Sequence, residues 1–409
     1  MQVWWASAIL SAVSCFGIYA DQLVDSEPGE MAMVCEEKSC LPAPHVDCGP
    51  ISCPKSCYLQ AEQYDPCISS GYLIPAAAAV CAEVPFFARA SLLYWYVAEE
   101  GLSVATNGVL SDQLYLPSES QALFQSFEYK PGFKAGLGYT FAKEWTLYAE
   151  YTWLRGTQSV HRGSGSLPTA TAGTDDVLSG EGVWAVNDWF LQRAAAGEAL
   201  AATNISSKWR YEIDLLDLTF SRPSYFAPML IVTPYAGVRG MRMEQKVRVS
   251  LSEALNQGIS LEPLSPIASN NSSTSWAVGP RIGTGLSCFL SRRFRIEADT
   301  AASLLYTRFT EIVHEEDEAS LSFNPQPYKL RWNEYSCARA IAECSLGFGW
   351  GEYWQNEAYR IDFAANYSFS YLWGQNMIRK MLDETFSKTA STASDMYFHG
   401  LNLTARLDF

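Results

Sequence analysis

Seven of the eleven cysteines, the residues most able to do redox chemistry, lie between positions 35 and 81. Zinc sites are usually built from C-x2-C pairs, whereas this proline-interrupted segment shows C-x3-C and C-x4-C spacing. In an exported chain the pattern predicts a disulfide framework whose connectivity stays open. Because seven is odd, at least one thiol is left for an intermolecular bond or for a cysteine later in the chain. The disulfide candidates are Cys35, Cys40, Cys48, Cys53, Cys57, Cys67, Cys81, Cys288, Cys337 and Cys344.

A second stretch with chemical potential is "VHEEDE" (Val313–Glu318), which places one of only four histidines among carboxylates. Another acidic pair, Asp175-Asp176, lies in a different loop. A histidine beside a carboxylate can act as a general base. However, no second half of such a site is evident, and nucleophile elbows, phosphate loops and metal motifs are absent. We therefore expect no enzymatic activity, no cofactor and no bound metal.

Charged side chains recur opposite an apolar face over long stretches of the chain. In "FEYKPGFKAGLGYTF" (Phe127–Phe141) the aromatic and aliphatic residues fall on one face and the charged residues and glycines on the other. The residues 142–144 then form a turn into "WTLYAEYTWL", in which Glu150 lies opposite the Trp residues. A strand places alternate residues on opposite faces, whereas a helix would scatter these charges around its axis.

Ten segments of the chain show this alternation. Their lengths, from 10 to 21 residues, exceed the roughly five to six residues of an ordinary strand. Long and short connections follow each other strictly, and the long ones are 99–123, 156–207, 251–274, 314–337 and 374–395. Even, antiparallel strands with alternating long loops and short turns are typical of outer-membrane barrels. The sequence therefore predicts an all-β fold, a transmembrane antiparallel β-barrel of about ten strands, with a range of about 8 to 12.

The composition argues against two other classes of protein. A formal net charge of −15, from 29 basic and 44 acidic residues, argues against nucleic-acid binding. A soluble β-sandwich also has alternating strands, but its apolar face is the inward one and is rich in Val, Ile and Leu. Here the apolar face is rich in Tyr, Trp and Phe, which suits the aromatic girdles of a membrane barrel.

If the apolar faces contact lipid, the opposite faces line the barrel interior. The predicted lumen residues are Glu128, Lys130, Lys134, Glu150, Arg210, Glu212, Asp214, Arg239, Arg281, Arg339, Glu343, Arg360, Asp362, Arg406 and Asp408. Acidic and basic groups alternate among them, so they can either border a water-filled path or pair into a plug. In "KWRYEIDLLDLTF" the apolar phase changes at Leu215-Leu216, which predicts a β-bulge.

Three regions follow from these patterns. Residues 1–20 carry no charge and have a short apolar core, which predicts a secretory signal peptide, with an uncleaved anchor as the alternative. An irregular Cys-rich segment spans 21–84, and the barrel spans 85–409. An even strand count places both ends of the barrel on one side of the membrane. We expect this segment and both termini to be periplasmic.

The chain ends on "LNLTARLDF", a period-two pattern that stops at an aromatic residue. The stretch predicts the closing strand, which pairs with the first strand and so removes the free edges of the sheet. Phe409 resembles the C-terminal aromatic signal by which the barrel-assembly machinery recognises bacterial outer-membrane proteins. We expect that machinery and outer-membrane lipid to be partners of the chain.

The stretches "ARASLLYWYVAEEG", "FKAGLGYTF", "WTLYAEYTWL" and "TPYAGVRG" resemble the Legionella-type major outer-membrane protein family. The resemblance covers roughly residues 86–409 and implies a pore-forming β-barrel. Members are described as porins, and some are implicated in adhesion. The Cys-rich segment departs from that type and resembles instead the disulfide-crosslinked envelope of chlamydia-related bacteria.

Passive diffusion of ions or small polar solutes is the function that this resemblance implies, together with envelope cross-linking through the N-terminal cysteines. The disulfide partners would be envelope proteins or further copies of the chain. The alternative is a non-conducting structural barrel, or an adhesin that presents long outer loops to host cells.

The cross-linking hypothesis makes a direct prediction. Purified outer membranes should give high-mass oligomers of this protein on non-reducing gels, because the odd number of cysteines in the 35–81 cluster leaves a thiol that can bond to another chain. Reductant should collapse these species to the monomer. A single monomeric band under both conditions would contradict the hypothesis.

Overall fold

The computed structural model describes residues 86–409, except 111–118, 142–144, 164–168, 171–177, 186–188, 191–199, 228, 257–259, 265–266, 292, 318–327, 355–358 and 388–392. The predicted signal peptide and Cys-rich segment, with Cys35 to Cys81, lie outside the described residues. In chain order the strands are β1 (Phe86–Glu99), β2 (Ser103–Leu110), β3 (Glu119–Phe124), β4 (Tyr129–Phe141), β5 (Trp145–Gly163), β6 (Thr169–Ala170), β7 (Leu178–Ala185), β8 (Leu200–Ser221), β9 (Ser224–Ala227), β10 (Leu230–Asn256), β11 (Ser260–Leu264), β12 (Ile267–Phe289), β13 (Phe294–Asp317), β14 (Tyr328–Trp354), β15 (Tyr359–Asn376) and β16 (Ser394–Asp408); helix α1 (Met377–Ser387) precedes β16.

Ten of the described strands close into one antiparallel ring. Its order is β1, β4, β5, β8, β10, β12, β13, β14, β15 and β16, and β16 returns to β1. The shorter β2, β3, β7 and β11 extend the sheet beyond the ring. The prediction of an all-β antiparallel barrel of about ten strands is confirmed.

The barrel closes at the seam between β1 and β16. Their register runs from Phe87 opposite Asp408 to Glu99 opposite Met396. Phe86 and Phe409 exchange two backbone hydrogen bonds of 2.9 Å, so the first described residue and the last lie at one end. We call this end the terminal end and the opposite end the loop end. Closure removes the unpaired strand edges that a flat sheet would leave.

The outward face of the ring is apolar over its terminal half. Leu92, Leu137 and Phe348 are each about two-thirds exposed, which in water would be unfavourable but in lipid is expected. Aromatic residues border this apolar belt: Phe86, Phe141, Phe220, Phe294 and Phe409 lie towards the terminal end, and Tyr96, Tyr129, Trp276 and Tyr306 towards the loop end. In the described part of the chain, no helix is long and apolar enough to cross a membrane.

Several strands continue far beyond the predicted boundaries. The segments 156–163, 200–207, 251–256 and 267–274, expected as loops, belong to β5, β8, β10 and β12. The run 269–274 reads "SNNSST", a loop-like composition, yet it pairs in register with β10 from Ser269 opposite Val249 to Thr274 opposite Glu244. Polar residues are tolerated there because the wall has left the lipid, so composition alone misplaced these boundaries.

The predicted bulge at Leu215-Leu216 is wrong. The register of β8 with β5 and with β10 runs unbroken through both residues. Trp209, Tyr211 and Ile213 are buried inside the barrel, whereas Leu216 and Leu218 on the other face are exposed. The inward and outward alternation of side chains therefore continues without interruption along β8. What changes along the strand is whether the inward or the outward face is apolar.

An apolar plug fills the interior of the loop half. It is formed by inward side chains of the strands and by one face of α1, and its members include Leu93, Trp95, Val97, Trp209, Ile213, Met243, Val247, Leu305, Phe309, Met377, Ile378, Met381, Leu382 and Met396. All of these are at most 3% exposed. Trp189 joins the plug and donates a 2.7 Å hydrogen bond to the carbonyl of Ser103. The lumen is therefore dry at this level.

Two glycines allow neighbouring strands to approach closely below the plug. A Cβ on Gly279 would lie 2.0 Å from the backbone oxygen of Leu304, and one on Gly237 would lie 2.0 Å from that of Leu218. These obstacles are backbone, which cannot swing aside as a side chain can. Glycine is therefore needed at both positions to let the wall bend.

We predict that Gly279→Ala lowers the free energy of unfolding in detergent micelles by about 2 kcal/mol, the usual cost of forced overpacking. Gly285→Ala is the matched control on the same strand, because its Cβ would meet nothing nearer than 3.6 Å. Denaturant unfolding followed by tryptophan fluorescence measures both. Equal stability of the two variants would contradict the steric argument.

Candidate functional site in the barrel lumen

A network of ion pairs lies inside the barrel beneath the apolar plug. Arg239 on β10 donates two hydrogen bonds to Asp217 on the neighbouring β8, of 2.6 and 2.7 Å. The register places these two residues directly opposite each other. A planar guanidinium matches a carboxylate in this bidentate way, which makes the pair strong and directional.

The network also spans the lumen. Arg239 lies 2.9 Å from a carboxylate oxygen of Glu343 on β14, although β12 and β13 separate the two strands in the ring. Arg281 on β12 donates to the same oxygen at 2.8 Å. Side chains from strands that are not neighbours therefore meet inside the barrel, and the space between them is occupied. Arg239 is only 2% exposed.

Two further contacts continue this layer on either side. Lys134 lies 3.5 Å from Glu150, which also accepts a 2.6 Å hydrogen bond from the hydroxyl of Tyr148. Tyr235 donates a 2.9 Å hydrogen bond to Asp299. The side chains of Lys134 and Glu150 retain 23% and 12% exposure, so water reaches part of this layer. We define the lumen network as Lys134, Tyr148, Glu150, Asp217, Tyr235, Arg239, Arg281, Asp299 and Glu343.

A second cluster lies nearer the terminal end. Arg295 on β13 donates a 2.5 Å hydrogen bond to Asp362 on β15 and a 2.6 Å hydrogen bond to Glu297. Asp362 also accepts a 2.9 Å hydrogen bond from Arg360. Each cation has a carboxylate within reach, so the cluster is close to neutral and holds β13 and β15 across the intervening β14.

The structure places the predicted lumen residues at several levels of the barrel. The lumen network contains Lys134, Glu150, Arg239, Arg281 and Glu343. Four others face inward near the terminal end: Arg360, Asp362, Arg406 and Asp408. Arg406 and Asp408 pair with each other at 2.5 Å. Arg339 lies higher, with its guanidinium 4.4 Å from the ring centre of Phe309 in the plug. Glu128 and Lys130 pair with each other at 2.8 Å at the loop-end start of β4, apart from the network.

The predicted lumen positions of Arg210, Glu212 and Asp214 are wrong. All three lie on the outward face of β8, opposite the buried Trp209 and Ile213. There Arg155 pairs with Asp214 at 2.7 Å and with Glu212 at 3.1 Å. The error has a physical origin, because this part of β8 is beyond the apolar belt and its apolar face turns into the plug rather than to lipid.

Sequence reasoning missed several members of the lumen. Asp217 alternates with the outward Leu216 and Leu218, so the period-two criterion identifies it as a lumen residue. Arg295, Glu297 and Asp299 alternate with Phe294, Ile296 and Ala298, so the same period-two criterion identifies them. The contact between Arg239 and Glu343 has no local signal, since it joins residues that are distant in sequence and on strands that are not neighbours.

Helix α1 is held in the lumen by its cap and by both of its faces. The side chain of Asn376 accepts a 3.0 Å hydrogen bond from the backbone N–H of Arg379, as an N-cap residue does. Met377, Ile378, Met381 and Leu382 form the face that packs into the plug. Lys380 donates a 3.1 Å hydrogen bond to the hydroxyl of Tyr335, and that bond raises the pKa of Lys380.

The "VHEEDE" stretch does not form an open rim site. His314 lies inside the loop half and is fully buried. Its Nδ1 lies 2.7 Å from the side-chain oxygen of Asn271, and its Nε2 lies 2.8 Å from a carboxylate oxygen of Glu316. Both ring nitrogens therefore have partners in the protein interior.

The three described cysteines are free thiols. Cys288 is exposed near the terminal end, where it lies opposite Leu230 at the start of β10. Cys344 is outward, opposite Phe369 in the apolar belt, whereas Cys337 is inward and accepts a 3.3 Å hydrogen bond from Arg339. Of the three, Cys288 has the position best suited to the predicted pairing.

The family follows from comparison with known proteins. A family model described as Legionella pneumophila major outer membrane protein precursor matches residues 79–409. The chain belongs to this family. It is accordingly an outer-membrane β-barrel, as its resemblance to the Legionella type implied. No curated protein matches the chain in a direct sequence search.

Solved outer-membrane barrels are similar only distantly. The outer membrane protease OmpT from Escherichia coli is 11% identical, with a TM-score of 0.34 over 82% of this chain and 99% of that one. A major outer membrane protein from Thermus thermophilus is 10% identical, with a TM-score of 0.23 over 80% of this chain and 100% of that one. Neither likeness bears on activity.

We predict that Arg239→Met lowers the free energy of unfolding by about 3 kcal/mol or more, because it leaves Asp217 as a buried charge without a partner. The matched control is Arg331→Met on the outer wall, where both partners of the pair with Glu311 are nearly half exposed. That change should cost under about 1 kcal/mol.

The double variant Asp217→Leu/Arg239→Met distinguishes the net contribution of the ion pair from the cost of leaving one buried charge unpaired. Because removing both partners of a buried pair is often near neutral, it should recover most of the lost stability. Denaturant titration in micelles gives all three values. A double variant as unstable as the single one would argue that the guanidinium acts mainly through Glu343.

Proposed function

We propose that this protein is a closed outer-membrane barrel that does not conduct at rest and that anchors an extended β-wall at the cell surface. The observation that supports this is the apolar plug, in which α1 and the inward residues of the loop half are almost fully buried. The lumen network below the plug adds charge pairs that meet across the barrel.

The energy of the α1 contact supports a closed lumen over an open one. Four apolar side chains of α1 are at most 2% exposed. Exposing them to water would cost about 6 to 12 kcal/mol, taken as an upper estimate. Since 1.4 kcal/mol is a factor of ten, even the lower value leaves about one molecule in ten thousand open.

Passive diffusion of ions or small polar solutes is the second candidate. It is favoured by the partial water access of Lys134 and Glu150, since paired charges along a wet wall are typical of selective pores. In this proposal α1 is a gate that must leave the lumen before ions pass. A signal that stabilises the displaced helix would then open the pore.

The orientation belongs to the same proposal. The terminal end faces the periplasm and the loop end faces the outside, because bacterial outer-membrane barrels place short turns inside and long loops outside. The exposed thiol of Cys288 near the terminal end would then be available to the N-terminal cysteines or to another envelope protein. The proposal assigns the chain no catalytic step.

Planar-bilayer conductance tests the closed lumen. The wild-type protein should show no steady conductance, whereas a variant whose residues 377–387 are replaced by a Gly-Ser linker of equal length should conduct. The control is Glu384→Gln, which removes an ion pair on α1 but leaves Lys380 and the four plug residues in place. It should stay closed.

Folding of each variant is checked by heat-modifiable migration on gels, so that a leaky aggregate is not taken for a pore. Steady, ion-selective channels of the wild type would overturn the closed barrel and support passive diffusion. Closed behaviour of the linker variant would place the barrier in the strand side chains rather than in α1.

A further inference from the structure

Four cations form a square on the outer wall of the loop half. Lys208 and Arg210 point outward from β8, and Lys246 and Arg248 point outward from the neighbouring β10. The register sets Lys208 directly opposite Arg248, and Arg210 directly opposite Lys246. All four side chains are exposed. We call this patch the basic square.

This arrangement is unfavourable without a counter-charge. Side chains directly opposite on neighbouring strands lie about 5 Å apart, and like charges there destabilise the sheet. Arg210 and Lys246 each have a partner at 2.7 Å, in Glu212 and Glu244. Lys208 and Arg248 have no ion-pair partner among the residues that the structure describes.

The basic square also stands out against the rest of the molecule. The chain carries a net charge of −15, yet here four cations line one shallow depression together with the amide of Asn270 and the hydroxyl of Ser272. Glu315 borders the same depression but pairs with Lys329. Asn270 and Ser272 lie on β12 beside the cations, and the Asn270 amide donates a 2.8 Å hydrogen bond to Asp317. Four clustered cations with a neighbouring hydroxyl suit phosphate oxygens.

The position of the basic square on the wall indicates which kind of molecule binds there. It lies on the same outward face as Leu216 and Leu218 in the apolar belt, so the molecule beside it is a neighbouring lipid rather than a ligand on the rim. Asp214 is opposite Trp153, at the loop-end border of the belt. Arg210 and Lys208 lie about 13 to 20 Å further along β8.

Strand tilt reduces that distance to a height of about 10 to 15 Å above the belt. The headgroup layer of an ordinary phospholipid is only about 5 to 7 Å thick. Its phosphate therefore remains below the square, whereas a phosphorylated oligosaccharide headgroup reaches it.

We propose that the basic square binds the phosphate groups of a glycolipid whose phosphorylated oligosaccharide projects from the outer leaflet beside the barrel. This uses the proposed outward orientation of the loop end but not the closed lumen. Conductance and glycolipid binding are measured separately, so failure of one leaves the other standing.

The test is glycolipid binding to the full-length protein in micelles, by displacement of a fluorescent lipopolysaccharide with a phosphorylated core. The quadruple variant Lys208→Gln/Arg210→Gln/Lys246→Gln/Arg248→Gln should bind at least about tenfold more weakly. The control is Arg308→Gln/Arg331→Gln on β13 and β14 of the outer wall, where each cation is matched by a carboxylate that does not line the depression. It should bind like the wild type.

Competitors identify the chemistry. The same lipopolysaccharide after dephosphorylation, phosphatidylglycerol and inorganic phosphate should all compete poorly. The quadruple variant should unfold at a denaturant concentration at least as high as the wild type, since repulsion is removed. Unchanged binding of that variant, or equal competition by the dephosphorylated glycolipid or phosphatidylglycerol, would overturn the proposal. Tighter binding of soluble heparin would also overturn it, in favour of a sulfated polysaccharide.

Discussion

A strand surrounded by hydrocarbon can satisfy its backbone N–H and C=O groups only by pairing with another strand, and the rest of this structure depends on that constraint. Pairing must continue around the whole ring, so β1 and β16 have to meet although they are distant in sequence. The mutual hydrogen bonds of Phe86 and Phe409 complete the seam at its last residue. Closure then fixes an inside and an outside for every alternating side chain.

Closure of the ring also creates an interior that must be filled. The inward faces of ten strands enclose a space that has to be filled by water or by side chains. In the loop half that space holds apolar residues and α1, and in the terminal half it holds charges that pair across the lumen, as Arg239 and Glu343 do. Each solution suits its level, because apolar side chains pack without partners and a network of paired charges keeps its groups ionised.

The outer wall shows the same change of environment from the other side. Around the terminal half the outward face is apolar because lipid surrounds it, whereas beyond the belt charged residues such as Arg155, Glu212 and Lys246 take its place. The alternation of β8 continues unbroken across this border. One strand therefore presents apolar residues first outward and then inward, with no irregularity in its backbone.

The sequence by itself determined the fold class, the number of barrel strands, the closing role of the last strand and the apolar belt, because a period of two is a local property and lipid selects for it. Beyond the lipid layer, the alternating pattern no longer shows which face points into the barrel. Only the tertiary structure decided that Arg210, Glu212 and Asp214 face outward, that "SNNSST" is strand, and that α1 enters the lumen. Alternation shows that two faces differ, but which of them is inside depends on what surrounds the wall at that height. The contact of Glu343 with Arg239 likewise depends on the curvature of the closed wall, since no local pattern joins residues on strands that are not neighbours.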